Sequence, residues 1–75
     1  MNRKRKLKQM YRFINRYGRI KEQGKRLNDE EYRKGSYYVA FDSKELGIFL
    51  DIGGVDKYSV YKSIVKEIRN RLMMI

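Results

Sequence analysis

The chain has 75 residues, with 19 Lys and Arg against 9 Asp and Glu, a formal charge of +10, and no His, Cys or Pro. That length allows one small domain, whose folding hides only about 60% of the surface of the unfolded chain. Without His or Cys there is no disulfide scaffold, no zinc site of the usual ligands, and no Ser–His or Cys–His catalytic pair.

The chain opens with a cluster of cations, and residues 1–6 are expected to form a flexible basic arm carrying Arg3, Lys4 and Lys6. From Leu7 to Tyr17, the apolar residues Leu7, Met10, Ile14 and Tyr17 recur at intervals of three and four, which aligns them on one face of a helix. At about 100° per residue, Arg5, Lys8, Arg12, Arg16 and Arg19 fall in an arc of about 80° opposite that face. Gly18 is placed to end the helix in a left-handed cap. Arg19 to Leu27 has only Ile20 and Leu27 as clear apolar positions and is interrupted by Gly24; it reads equally as more helix or as a basic loop. Asn28 can then cap a short helix over Asp29–Lys34, with Glu31 completing a capping-box-like pair, Leu27 and Tyr32 as a hydrophobic staple, and Gly35 as the stop.

After Gly35 the period changes. Tyr37, Val39 and Phe41 alternate with Tyr38, Ala40 and Asp42, and Ile48, Leu50 and Ile52 alternate with Phe49 and Asp51. Turn-forming residues lie between the two runs. This is the pattern of an antiparallel hairpin, ended by Gly53-Gly54. Asp56 or Ser59 can cap a final helix running to about Met73, with Val60, Ile64, Ile68 and Leu72 as its apolar face and Tyr58, Tyr61 and Val65 beside it. The expected architecture is a small single α+β domain in the order helix, short helix, strand, strand, helix. Its two-stranded hairpin would be packed against the helices or shared with a second subunit, because two strands alone are marginal.

The charge is uneven along the chain. Residues 1–34 carry 13 basic and 4 acidic side chains, whereas residues 35–75 carry 6 and 5. A one-sided excess of this kind points to an anionic partner for the N-terminal half. Cations on one helix face neutralise successive phosphates and release counterions, so the expected partner is nucleic acid, with double-stranded DNA favoured over RNA. The candidate contacts are Arg3, Lys4, Arg5, Lys8, Arg12, Asn15, Arg16 and Arg19, among which Arg12, Asn15 and Arg16 are able to read base edges. Two alternatives share the same charge: a helix lying on anionic lipid, and a module that binds and inhibits or retargets a larger protein through an acidic surface. Tyr38 and Phe49, on the sheet face away from the expected core, are the candidate contacts for a protein partner or a homodimer, and Met73-Met74-Ile75 is a further candidate for subunit contact.

Other patterns carry less. Lys34-Gly35-Ser36-Tyr37-Tyr38-Val39-Ala40-Phe41 resembles the octapeptide of RNA-recognition motifs at Lys34, Gly35, Tyr38, Val39 and Phe41. Outside those eight residues the chain departs from that family: a basic helix replaces the opening strand, the βαββαβ order is missing, and the match is assigned to chance. Asp42, Glu45, Asp51 and Asp56, with Lys57, would be the carboxylates for a magnesium-dependent nuclease, but turn and cap roles already account for Asp42, Glu45 and Asp56. Gly53-Gly54 lacks the Lys-Ser/Thr of a phosphate loop. The expectation is therefore a non-enzymatic, cytoplasmic binding protein without cofactor, metal site or membrane span. Its size and its richness in Lys, Ile and Tyr associate it with small regulators or accessory proteins of phages and mobile elements.

Overall fold

The computed structural model describes residues 2–25 and 37–74. Five elements follow in the order α1 (Arg3–Tyr17), β1 (Arg19–Lys25), β2 (Tyr37–Ser43), β3 (Ile48–Gly54) and α2 (Lys57–Met73). The α+β class expected from the sequence holds. The sheet, however, has three strands rather than two, in the antiparallel order β1-β2-β3. The expected short helix over 29–34 lies outside the described residues.

Helix α1 starts one turn earlier than the apolar spacing indicated. Asn2 caps it, its side-chain oxygen accepting from the backbone N–H of Arg5 at 3.0 Å. Arg3, Lys4 and Lys6, assigned above to a flexible arm, are therefore in the first turns of the helix. The residues are strong helix formers apart from three aromatics, Asn15 and one β-branched residue, Ile14. Ile14 is also the one fully buried residue of α1.

Gly18 ends α1 as expected, but for a different reason. Its backbone is extended rather than left-handed (φ −175°), which any residue adopts. What excludes a side chain is proximity: a Cβ there would lie 2.6 Å from Cζ of Phe41 and closer still to the carbonyl oxygen of Asp42. The chain turns directly from helix into β1, and this junction presses on β2.

Register fixes which side chains share a sheet face. Val39 lies opposite Ile52, Phe41 opposite Leu50 and Ser43 opposite Ile48, and these face the helices. Tyr38 opposite Gly53, Ala40 opposite Asp51 and Asp42 opposite Phe49 form the other face. In β1 a bulge at Lys21 sets Ile20 opposite Phe41 and Gln23 opposite Val39, so both point inward although they are three residues apart. Gly47, at φ +67°, supplies the left-handed residue that closes the β2–β3 turn.

Both helices lie on the same side of the sheet. Helix α2 crosses β2 and β3, and α1 packs against α2 and over β1. Their starts meet where the Arg3 guanidinium lies 5.1 Å over the Tyr58 ring, and their later turns meet where Arg69 lies 5.6 Å over Phe13, so they run in the same direction. The core between the layers contains Ile14, Val39, Phe41, Val60, Tyr61, Ile64 and Ile68, each no more than 1% exposed. Each such side chain contributes about 1.5–3 kcal/mol by leaving water. Asp56 caps α2 by accepting from Ser59 N–H at 2.8 Å, as one of the two expected caps.

Candidate nucleic-acid interface

The helical layer carries all of the excess positive charge, and the rest of the chain is slightly acidic. Together α1 and α2 hold twelve Lys and Arg and a single acid, Glu67. Neither helix has an acid in its first turn. The backbone dipole makes a helix N-terminus the positive end, where cations are disfavoured by about 0.3–1 kcal/mol each. Arg3, Lys4, Arg5 and Lys6 are stacked at that end of α1, and among the described residues a weak 3.8 Å contact from Arg3 to Asp56 is the one ion pair they receive in return. A surface that departs from helix-stabilising rules in this way is one that an anion would relieve.

The expected site residues divide into three groups. Lys8 and Arg12 project from the outer side of α1 and line an open pocket with Tyr11, Gln23, Lys57 and Tyr61. Asn15 and Arg16, at the end of the helix, border a shallow depression that mixes the cations Arg19, Lys21 and Lys44 with the acids Asp42 and Glu45. Arg19 does not belong to the helical ridge: it follows the Gly18 cap, opens β1, and stands opposite Asp42 on the outer sheet face. Lys4 and Arg5 are exposed in the first turns of α1. Arg3 is 74% exposed yet tied to the start of α2 through Tyr58 and Asp56, so part of its role is to hold the helices together.

Sequence reasoning missed the contribution of α2. Lys62, Lys66 and Arg69 line a groove of about 900 Å³ between the two helices, facing Lys6 and Gln9 of α1. Counting charge by chain halves hid them, because the acids Asp42, Glu45 and Asp51 of the β2–β3 hairpin cancel them in the sum. The signal was available as spacing: 62, 66 and 69 follow the i, i+4, i+7 rule and make one stripe.

The outer sheet face differs in character. Glu22, Asp42 and Asp51 share it with Arg19, Tyr38 and Phe49. Tyr38 leans over Gly24 and donates from its hydroxyl to Glu22 Oε1 at 2.6 Å, which leaves it half-buried. Phe49 is 65% exposed at the opposite end of the face. The two aromatics, expected as a pair, are separated by the Ala40–Asp51 rung and form no continuous apolar patch. Among the described residues no three acids converge to hold a metal ion, and no helix is long and apolar enough to cross a membrane.

Hydroxyl chemistry fixes one further part of the site. Tyr61 and Tyr37 donate to Gln23 Oε1 at 2.7 and 3.2 Å. Burial pushes the Tyr61 hydroxyl up to about 12 and raises that of Tyr37, so both stay protonated and serve as donors. Comparison of the chain with protein-family models, with curated proteins and with solved structures gives no match in any of the three. The functional reading therefore rests on the residues themselves.

Proposed function

We propose that the protein binds double-stranded nucleic acid, DNA in preference to RNA, through its helical layer, and acts by binding alone. The observation that carries this reading is the segregation of charge: twelve cations and one acid on two parallel helices, with the hairpin acids Asp42 and Glu45 meeting that layer at its Asn15–Arg16 end. From Arg5 to Arg16 the ridge of α1 extends about 16 Å, enough to follow several phosphates of one strand. The major groove of B-form DNA is wide enough to admit a helix, whereas that of A-form RNA is too narrow, which favours DNA. Arg12, Asn15 and Arg16 are on the exposed side of α1 and free to reach base edges. The test is charge reversal on each helix. Arg12→Glu with Arg16→Glu, and separately Lys62→Glu with Lys66→Glu, should each weaken duplex binding in fluorescence anisotropy while the circular dichroism spectrum stays unchanged. Full affinity in the first variant would refute the ridge, and full affinity in the second would confine the interface to α1.

A second reading, a protein-binding module or homodimer, is favoured by the exposed Phe49. It borders a shallow depression with Leu50, Arg71 and Met74. Sedimentation equilibrium of the wild type and of Phe49→Ser decides it: a dimer lost on substitution supports this reading, and a monomer in both contradicts a homodimer through Phe49.

A further inference from the structure

At the junction of α1, β1 and the first turn of α2, Lys8, Arg12 and Lys57 surround an open pocket of about 470 Å³ that is also lined by Tyr11, Gln23 and Tyr61. Among the described residues no carboxylate lines it. Its aromatic wall is organised: Tyr61 is buried at 1% exposure, and the Tyr11 ring stacks on it at 6.3 Å between centroids and 16° between planes. Tyr11 itself remains 45% exposed. Exposed rings are uncommon on a helix that already has an apolar face to bury, and this one is held in orientation by the ring beneath it. The Lys57 ammonium lies 5.4 Å from the centroid of the Tyr61 ring, which keeps its charge at the rim.

The polar wall is equally fixed. Both lone pairs of Gln23 Oε1 are taken by the Tyr61 and Tyr37 hydroxyls, which orients the carboxamide. Its NH2 has no acceptor among the described residues. The pocket thus offers an aromatic surface, three cations and a fixed amide donor. That set matches a nucleotide: a π-face, phosphates, and acceptors on the base edge. We propose that the pocket takes one unpaired nucleotide of a nucleic acid whose duplex lies on the helical layer. The base stacks on Tyr11, its flanking phosphates meet Lys8, Arg12 and Lys57, and an acceptor on its edge receives the Gln23 amide. This rests on the function proposed above and adds to it a preference for a duplex bordered by a single strand.

The experiment compares a blunt DNA duplex with the same duplex carrying a short overhang that has 2-aminopurine as its first unpaired base. The overhang should bind about tenfold more tightly, within the range for stacking one base on an aromatic ring, and 2-aminopurine fluorescence should be quenched. Tyr11→Leu, which keeps an apolar cover over Tyr61, should bind the blunt duplex as the wild type does and lose both the preference and the quenching. Lys57→Gln, at an exposed position of α2, should reduce the preference without altering the fold. Equal binding of blunt and overhanging duplexes by the wild type overturns the pocket assignment and leaves duplex binding intact, as does a preference that survives both substitutions. Binding of neither duplex overturns both. Competition by free thymidine monophosphate at the overhang's own affinity would make the ligand a free nucleotide and likewise contradict the proposal.

Discussion

Ser43 is the buried polar residue among the described residues, and it joins two distant parts of the chain. Its hydroxyl donates to the carbonyl of Tyr17 at 2.5 Å and accepts from the N–H of Leu46 at 3.1 Å, and the residue is 1% exposed. It therefore ties the end of α1 to the β2–β3 turn and draws Leu46 into the core. Ser43→Ala leaves both backbone groups unpaired away from water and should cost about 2 kcal/mol in urea unfolding; an unchanged midpoint would show that water replaces the hydroxyl. Gly18→Ala acts nearby through space alone. Its Cβ meets the Phe41 ring and the Asp42 carbonyl, and a loss of about 1–3 kcal/mol is expected from the forced shift. Tyr61 responds to pH. Its hydroxyl is raised from 10.0 to about 12, first by burial and then by the neighbouring Tyr37 and Tyr11, so the native state holds this proton longer than the unfolded chain. The stability linked to it is complete below pH about 10 and is lost as pH rises towards about 12. Tyr61→Phe should therefore show a shallower fall in thermal midpoint across that interval than the wild type; an equal fall would assign the effect to other groups.

At the scale of elements, the parts that were legible are those whose apolar period is unbroken. Helix α2 shows it most clearly: the spacing of Val60, Ile64 and Ile68 set its buried face, and all three are fully buried. Ile64→Asp places a charge without a partner at the centre of that face and should abolish cooperative folding; a folded variant would contradict the packing of α2. Strand β1 was illegible for a physical reason. The bulge at Lys21 moves its second inward residue from position 22 to 23, which destroys the alternation, and that residue is Gln23 rather than an apolar one. Gln23 stays exposed at the sheet edge, where tyrosine hydroxyls from β2 and α2 donate to its oxygen, a pairing that no local pattern reveals. The start of α1 was hidden in another way. Arg3 to Lys6 oppose the helix dipole, so local rules set them outside the helix that Asn2 nevertheless begins. The cap of α2 has a pH signature. The carboxylate of Asp56 is held below its ordinary value of 3.8, first by the Ser59 backbone N–H and then by the Ser59 side chain. Its stabilising contribution is present above that value and lost as pH falls through and below it. Asp56→Asn, which keeps a capping oxygen but cannot titrate, should lower the acid sensitivity of melting. Identical acid limbs would deny the carboxylate that role.

At the scale of the molecule, the sheet separates two surfaces of different chemistry. One layer has twelve cations and one acid; the outer sheet face mixes Glu22, Asp42 and Asp51 with Arg19 and two separated aromatics. Of this arrangement the sequence disclosed the ridge Arg5, Lys8, Arg12 and Arg16, because those residues lie on one regular helix. The groove beside it, where Lys6 and Gln9 of α1 meet Lys62, Lys66 and Arg69 of α2, depends on how two distant helices pack, and only the tertiary structure brings those residues together. The most direct test of the central claim, that this layer meets a phosphate backbone, is the salt dependence of affinity for a blunt DNA duplex measured by fluorescence anisotropy. Engagement of four or more phosphates should give a slope of log affinity against log salt of about −3.6 or steeper. A slope no steeper than about −1 would mean that the cations of the two helices do not lie on a nucleic-acid backbone, and the central claim would fail.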